Sequence, residues 1–134
     1  MTGFELHERL AADTLPVCDI GLCELRLMND ARFPWVVLVP KRPDVREVHD
    51  LTPLDQTMLT FETTQMSKLL QEKTAAHKMN VAALGNQVPQ LHVHIIARFE
   101  NDAAWPSPVW GSGVAEPYTG PSAEELITRL TETL

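Results

Sequence analysis

The sequence predicts an α+β fold in which an antiparallel sheet packs with one long helix and with short helices near both termini. Two observations support this class. Short apolar runs typical of strands lie on both sides of a single long helical segment, an order that favours antiparallel pairing over repeated β-α-β units. The 134 residues, 44% of them hydrophobic and 22% charged, fit one globular domain, 1–134, with a core of its own.

The N-terminal part is predicted to contain a short helix followed by two strands. Thr2 precedes Glu5 by three residues, which is a capping-box pattern for a first helix. Residues 17–28, VCDIGLCELRLM, are predicted as one strand because apolar and polar residues alternate toward its end. After a turn at NDARFP, the β-branched run WVVLVP, closed by Pro40, predicts the next strand.

The longest helix candidate spans residues 51–78 and follows the charged loop KRPDVREVHD. Thr52 is placed as its N-cap, with Pro53 at the first helical position and Asp55 in the first turn. The predicted buried stripe of this helix consists of apolar residues at roughly helical spacing: Leu54, Met58, Phe61, Met66, Leu69 and Leu70.

The C-terminal part is predicted to contain two strands, an irregular tail and a helix. MNVAALGN should form a strand ending at Gly85, and a strand beginning QLHVHII should follow Pro89. The Pro- and Gly-rich tail carries Trp105 and Trp110, which are assigned to packing the tail onto the body rather than to ligand contact. The closing helix is expected in PSAEELITRLTETL, with a capping box at its start and an apolar face behind it: Ser122 and Glu125, then Leu126, Ile127 and Leu130.

The stretch QLHVHII carries the clearest chemical signal. In a strand its polar residues share one face and its apolar residues the other: Gln90, His92 and His94 against Leu91, Val93 and Ile95. Same-face neighbours lie about 6.5 to 7 Å apart, so two imidazoles can reach different atoms of one bound group. A neutral imidazole is a nucleophile near neutral pH if a backbone carbonyl holds its other nitrogen's proton, and a neighbouring imidazolium can stabilise phosphoryl oxygens. Phosphorus chemistry is therefore favoured over a chance pair of histidines.

A metal site is the main alternative for this face. Two histidines at i and i+2 can ligate zinc, but a third ligand is needed and Gln90 is a poor one. Cys18 and Cys23 have no partner ligands nearby, and without a secretion signal a disulfide between them is not expected. They are assigned as buried small residues, and we predict neither a metal nor a cofactor.

Charge and hydropathy limit the partners. A net charge of −7 argues against general nucleic-acid binding, but a small phosphorylated ligand can be held by backbone amides and a few local donors. No stretch reaches the roughly 18 to 20 apolar residues that span a bilayer. The first residues lack the apolar core of a signal peptide, so no membrane partner and a cytoplasmic location are expected.

The segment LGNQVPQLHVHIIAR resembles the signature of the histidine triad (HIT) family, His-φ-His-φ-His-φ-φ with φ apolar. WVVLVPK, followed by a loop and the long helix, looks like the family's strand ending in Pro-Lys, and the resemblance covers most of the chain. It implies the HIT-like fold, with an antiparallel sheet of about five strands and the long helix packed on it. It also implies a homodimer.

The resemblance assigns roles to the motif residues. His92 matches the central, nucleophilic histidine, and His94 matches the last histidine, which contacts the phosphate. Gln90 stands in place of the first, supporting histidine, which leaves the covalent chemistry possible. Trp35 stands where many relatives have histidine, so the nucleoside pocket is expected to differ in shape. Some relatives carry zinc on Cys-x-x-Cys, whereas the pair here is Cys-x4-Cys, so the resemblance also disfavours zinc.

Further substrate-binding residues follow from the resemblance. Asn29, or Asp30 beside it, matches the position that hydrogen-bonds the ribose hydroxyls, with a simple turn residue as the alternative. Arg98 matches the basic residue after the motif, with a solvated charge as the alternative. The turn before the motif strand is implied in phosphate contacts, through backbone approach and amide donors: Gly85, Asn86 and Gln87. For Asn86, a merely structural turn is the alternative.

The activity implied is hydrolysis or transfer of a nucleoside monophosphate at its α-phosphate, through a nucleotidyl-histidine on His92. The leaving group stays open among a dinucleoside polyphosphate, a phosphoramidate and an aminoacyl adenylate. The alternative is a non-catalytic nucleotide-binding or regulatory module with the same pocket, an interpretation that Gln90 and Trp35 keep open.

Overall fold

One antiparallel sheet forms the centre of the molecule, with helices on both of its faces. A computed structural model describes residues 3–134. Its elements are α1 (Glu8–Asp13), β1 (Thr14–Ile20), β2 (Cys23–Met28), β3 (Trp35–Pro40), a 3-10 turn (Val48–Asp50), α2 (Pro53–Thr74), β4 (Lys78–Ala82), β5 (Val93–Arg98) and α3 (Ser122–Thr131). The strand order is β1-β2-β3-β5-β4, and every neighbouring pair is antiparallel. The predicted α+β class, with about five strands and one long helix, is confirmed.

Residues 17–28 form a hairpin, so the prediction of a single strand there was wrong. The chain reverses at Gly21, which has a φ of 61°, and Ile20 pairs with Cys23 across the turn. Glycine adopts such a left-handed backbone without steric cost. The alternation of apolar and polar residues continues on both sides of this turn and therefore does not indicate it. A Cβ on Gly21 would lie 2.6 Å from the Glu62 carboxylate, so no larger side chain fits.

Helix α2 begins as predicted. The hydroxyl of Thr52 accepts a hydrogen bond from the backbone N–H of Asp55 at 3.1 Å, and Pro53 is the first helical residue. The helix ends at Thr74, before the predicted residue 78, because Ala75 takes a left-handed conformation with a φ of 56°.

The predicted buried stripe of α2 was wrong in its first half. Leu54, Met58 and Phe61 are 72%, 36% and 62% exposed, and Leu69 is half-buried. The residues that face the sheet include two carboxylates: Asp55, Leu59, Glu62, Met66 and Leu70. Both carboxylates have partners, Arg42 for one and backbone N–H groups for the other, so their burial is compensated. Apolar spacing alone therefore selected the wrong face at this end of the helix.

Two hydrophobic clusters cover the two faces of the sheet. The face toward α2 and α3 packs a large set that includes Leu25, Leu38, Met66, Leu70, Ile95 and Leu130. The opposite face packs a smaller, more aromatic set beneath α1 and the tail: Leu10, Phe33, Trp35, Val37, Val39, Val88, Ile96 and Val109. The side chains of β5 contribute to both clusters, so this strand connects them.

The helices at the two ends are present, but the capping box predicted for the closing helix is not. Thr2 lies outside the described residues, and α1 begins later, where the His7 ring accepts the N–H of Arg9 at 3.0 Å. In α3, Pro121 is the N-cap and Ser122 is the first helical residue, with no side-chain cap bond. The predicted apolar face of α3 is confirmed, because Leu130 is buried and its apolar neighbours pack on the core. Within residues 3–134, no helix is long and apolar enough to cross a bilayer.

Glu62 fastens the β1–β2 hairpin to α2. Its carboxylate accepts the backbone N–H groups of Leu22 at 2.8 Å and Cys23 at 3.0 Å, and the residue is 3% exposed. Glu62→Ala leaves two buried donors without partners, so we expect the free energy of unfolding to fall by about 2 kcal/mol. Urea unfolding would measure it against Glu72→Ala, the same change at an exposed position of the helix. Equal stability of the two variants would contradict this role.

Candidate functional site

His92 and His94 lie together on the aromatic face of the sheet. Side chains along this segment alternate, so Leu91, Val93 and Ile95 enter the core beneath α2. The two imidazole centroids are 4.9 Å apart at an interplanar angle of 74°, and the residues are 6% and 5% exposed. Both rings line a cavity of about 440 Å³, as the sequence pattern predicted for the polar face.

The His92 ring presents a lone pair. Its Nδ1 lies 2.7 Å from the backbone carbonyl oxygen of Gln90. A carbonyl oxygen only accepts, so Nδ1 carries the proton and donates it. Nε2 is then unprotonated in the neutral ring, which is the form of a nucleophile. The backbone contact expected of a nucleophilic histidine is therefore present.

The His94 ring presents an N–H instead. The indole Nε1 of Trp35 donates to Nδ1 of His94 at 3.0 Å, so the proton of the neutral His94 ring sits on Nε2. Burial, and then the nearby His92, lower the pKa of His94 to about 3. The imidazolium expected beside the nucleophile is therefore replaced by a neutral imidazole, which can donate one hydrogen bond to an anion.

The predicted turn before the motif lines the same cavity. β4 ends at Ala82, before the predicted Gly85, and the chain then turns through Gly85 with a φ of 69°. The exposed Asn86 and Gln87 follow, so the three turn residues stand beside the two imidazoles. A positive φ at this position suits glycine and brings the backbone close to a bound group.

The side chain of Gln90 is not in the histidine cavity. Sheet pairing begins after it, at Val93. Its Oε1 accepts the N–H of His7 at 2.8 Å, and its Nε2 donates to the carbonyl of Glu5 at 2.8 Å. Gln90 instead lines a separate cavity of about 310 Å³, together with His7 and Arg46. The amide of Gln90 therefore connects the N-terminal segment, through Glu5 and His7, to the segment that carries the two histidines.

Asn29 and Asp30 line a second cavity, of about 470 Å³, but their side-chain oxygens also hold the tail. Oδ1 of Asn29 accepts the N–H of Tyr118 at 2.9 Å. Asp30 is 2% exposed, forms an ion pair with Arg32 at 2.8 Å and accepts the N–H of Glu116 at 3.3 Å. Burial raises the pKa of Asp30, but the hydrogen bonds from Arg32 outweigh it and lower the pKa below its usual range.

Arg98 is neither beside the histidines, as predicted for a substrate-binding residue, nor exposed to solvent, as in the alternative prediction. It is 2% exposed and lies outside the histidine cavity. Its guanidinium donates to both oxygens of Asp102, at 2.8 and 3.1 Å, and also to Asn80 and to the carbonyl of Ser107, each at 2.8 Å. This buried hub fixes the start of the tail.

The tail contributes an aromatic residue, Trp110, to the site, and the sequence did not predict it there. Trp110 packs edge-on against Trp35 at 5.8 Å and against His94 at 5.1 Å, and it lines the histidine cavity. Trp105 packs instead on His77 at 5.4 Å and on Arg98 at 5.7 Å, as predicted for a packing residue. The Pro- and Gly-rich tail has no periodicity, so no local signal separates the two tryptophans.

The cysteines lie away from this cavity. Both are free thiols, Cys23 buried and Cys18 half-buried. Burial, and then a hydrogen bond with Glu62, raise the pKa of the Cys23 thiol, which makes it a poor metal ligand. Among residues 3–134, no cluster of three or more His, Cys, Asp or Glu side chains is arranged to hold a metal ion.

The chain is similar to known proteins over its whole length. The sequence profile of the HIT domain matches residues 10–101. A histidine triad protein from Sinorhizobium meliloti 1021 is 54% identical, with a TM-score of 0.97 over 100% of this chain and 99% of that chain. One from Marinobacter aquaeolei VT8 is 46% identical (TM-score 0.96, covering 98% and 96%), and one from Bradyrhizobium japonicum is 44% identical (TM-score 0.96, covering 97% and 97%). No curated protein matches the chain significantly.

Gln90 should stabilise the protein by hydrogen-bonding the N-terminal segment and should take no part in the reaction. Its Nε2 donates to the backbone carbonyl of Glu5, and its Oε1 accepts from the backbone N–H of His7. The two nitrogens of a histidine ring point in different directions and cannot make both of these hydrogen bonds. We expect Gln90→Leu to lower the free energy of unfolding by about 2 kcal/mol and Gln90→His by roughly half of that. Amide hydrogen exchange at His7 should accelerate in both. Gln87→Leu, in the exposed turn, is the matched control, and protection at His7 that survives Gln90→Leu would contradict this role.

Proposed function

Because the chain belongs to the histidine triad (HIT) family, we propose that it is a nucleotide hydrolase or transferase in which His92 attacks the α-phosphate of a nucleotide conjugate. Family membership supports nucleotide hydrolysis or transfer in general. The observation that carries the finer proposal is the opposite polarity of two adjacent rings: a lone pair on His92 and an N–H on His94, both in one cavity.

Each step of the reaction uses a histidine in the protonation state that its hydrogen-bond partner requires. Nε2 of His92 forms a bond to phosphorus while the bond from phosphorus to the leaving group breaks, and the leaving group departs with the electron pair. The Nδ1 proton, held by the Gln90 carbonyl, stabilises the cationic ring that results. Water then attacks phosphorus, the P–N bond breaks, and the nucleoside monophosphate leaves with His92 regenerated.

Neutral donors stabilise the phosphoryl oxygens in this scheme. Nε2–H of His94, whose ring lines the cavity, is one donor in this scheme, and the turn 85–87 supplies backbone N–H groups and side-chain amides. Gln90 stands at the position of the first histidine of the motif, and a primary amide is not basic near pH 7. It therefore supports the site from outside the cavity, and Gln90→His should change the rate by about 10-fold or less.

The charges of the cavity favour one class of leaving group. Within residues 3–134, the charged side chains that line it are Arg9 and Asp13, which pair with one another at 3.1 Å. The site therefore offers no surplus positive charge for additional phosphates, each of which would need compensation away from water. A phosphoramidate or an aminoacyl adenylate, with a single phosphorus, fits this cavity better than a dinucleoside polyphosphate.

A panel of adenylated substrates tests the proposal. We expect the pure protein to release AMP from an adenosine phosphoramidate, with kcat/KM at least about 10-fold above that for diadenosine tetraphosphate. The opposite order would contradict the leaving-group assignment. Tight nucleotide binding with no turnover of any substrate would identify the chain as a binding or regulatory module instead.

His92→Ala tests the nucleophile. The variant should lose turnover by about 1000-fold or more while nucleotide binding stays measurable, because the covalent route is removed and the cavity remains. Rapid-quench experiments with substrate labelled at phosphorus should trap a phosphorus–histidine adduct in the native protein and none in the variant. His49→Ala changes an exposed histidine and serves as the control. Substantial turnover by a folded His92→Ala protein would contradict this mechanism.

The homodimer implied by the family resemblance is part of the proposal, and the edge of the sheet supports it. Among residues 3–134, β4 pairs with no strand other than β5, so it forms an edge of the sheet, and Val81 on it is 48% exposed. We expect sedimentation velocity to give a dimer that Val81→Lys weakens and that Val114→Lys, at a position 83% exposed in the tail, does not. A monomer at all concentrations would contradict this part.

A further inference from the structure

Trp35 contacts His94 across two neighbouring strands. It is the first residue of β3 and pairs with Ile96 of β5, which places it diagonally opposite His94 on the same face of the sheet. Its indole Nε1 lies 3.0 Å from Nδ1 of His94. Both residues are buried, at 6% and 5% exposure, so water does not compete for this hydrogen bond.

The indole group leaves His94 one neutral tautomer. An indole N–H donates and cannot accept, so the nitrogen opposite it must carry a lone pair. A serine, asparagine or histidine in place of Trp35 could donate or accept, and would permit either tautomer of the neutral ring. With Trp35, the proton of neutral His94 is confined to Nε2, the nitrogen that the indole group does not contact.

The aromatic surroundings hold the indole ring in this position. Phe33 packs on Trp35 at 6.5 Å with an angle of 68°, and Trp110 packs on it at 5.8 Å with an angle of 87°. Trp110 also contacts His94 directly at 5.1 Å. A side chain packed on several sides cannot turn to present another atom without loss of those contacts, so the hydrogen-bond direction is fixed.

No charged group in the cavity favours a second proton on His94. The ring of His92, just before β5, packs against that of His94, and α1 contributes Arg9 and Asp13 to the cavity, where they pair with one another. Within the described chain, the turn before the motif, β3 and the tail contribute only uncharged side chains to this cavity. Protonation at Nδ1 would also set its N–H against the indole N–H, which costs the hydrogen bond.

We propose that Trp35 is a positioning residue whose indole N–H holds His94 as a permanent Nε2–H donor toward a phosphoryl oxygen. His94 then stabilises charge without carrying a proton through the reaction, and the proton that the departing group takes up comes from solvent water. The role toward the phosphoryl oxygen rests on the proposed function, whereas the tautomer is a property of the resting protein.

Nitrogen NMR on the ¹⁵N-labelled protein of residues 1–134 tests the tautomer without any substrate. Long-range ¹H–¹⁵N spectra should show His94 with Nδ1 unprotonated and Nε2 protonated from about pH 5 to pH 8. A scalar coupling between the indole nitrogen of Trp35 and Nδ1 of His94 should be detectable across the hydrogen bond. A protonated Nδ1 on His94 in the native protein would overturn the proposal.

Kinetics of Trp35→Phe test the consequence. The variant keeps a buried ring and loses the N–H, so His94 should populate both tautomers and titrate at a higher pH. We expect kcat to fall about 10-fold or more with KM changed less than about 2-fold, and the pH–rate profile to gain an ionisation. Trp105→Phe removes an indole outside the cavity and should match the native profile.

The outcomes separate the two proposals. A Trp35→Phe protein with native tautomer, kcat and pH profile would overturn the role of Trp35. If this variant fails to fold, the coupling in the native protein still decides the tautomer. A native protein with the coupling but no turnover of any nucleotide would overturn the proposed function and leave Trp35 as the group that fixes the His94 ring.

Discussion

The alternation of side chains along β5 determines both the core and the candidate site. β5 lies between β3 and β4, and both of its faces are covered: Ile95 packs beneath α2, and His94 faces the aromatic cluster. A shift of one residue would place the imidazoles in the core beneath α2 and the aliphatic side chains in the cavity, so burial of the apolar face fixes the register of the site. The geometry of the two histidines is therefore a consequence of the hydrophobic packing behind them.

Buried carboxylates hold the irregular segments around this sheet. Glu62 receives two backbone N–H groups of the β1–β2 hairpin, and Asp102 receives those of Phe99, Ala104 and Trp105 in addition to Arg98. Burial raises the pKa of Asp102, but the Arg98 and backbone hydrogen bonds together hold it well below its usual range. A carboxylate that accepts several N–H donors can be buried in its charged form, whereas a charge with no partner could not. Loops without periodic structure are thereby given defined positions, including the tail that carries Trp110 to the site.

The two imidazoles differ because their hydrogen-bond partners differ. A backbone carbonyl can only accept from His92, and an indole can only donate to His94, so two chemically identical side chains face the cavity with opposite polarity. This complementarity suits a phosphorus centre, which needs a nucleophile at phosphorus and donors at its oxygens. The donor on His94 is neutral, so its hydrogen bond to a phosphoryl oxygen does not require a second proton on that ring.

The sequence by itself determined the features that depend on near neighbours. The start of α2 at Thr52 and Pro53, the α+β class and the shared face of His92 and His94 all follow from capping chemistry or from a period of two. Tertiary structure decided what depends on residues far apart in the chain: Trp35 and His94 are 59 positions apart, and Gln90 and His7 are 83 apart. Tertiary contacts also exposed one apolar stripe of α2 and buried its carboxylates, because hydrogen-bond partners for Asp55 and Glu62 come from other elements. Local periodicity contains no information about such partners, since each is supplied only when the chain folds back on itself.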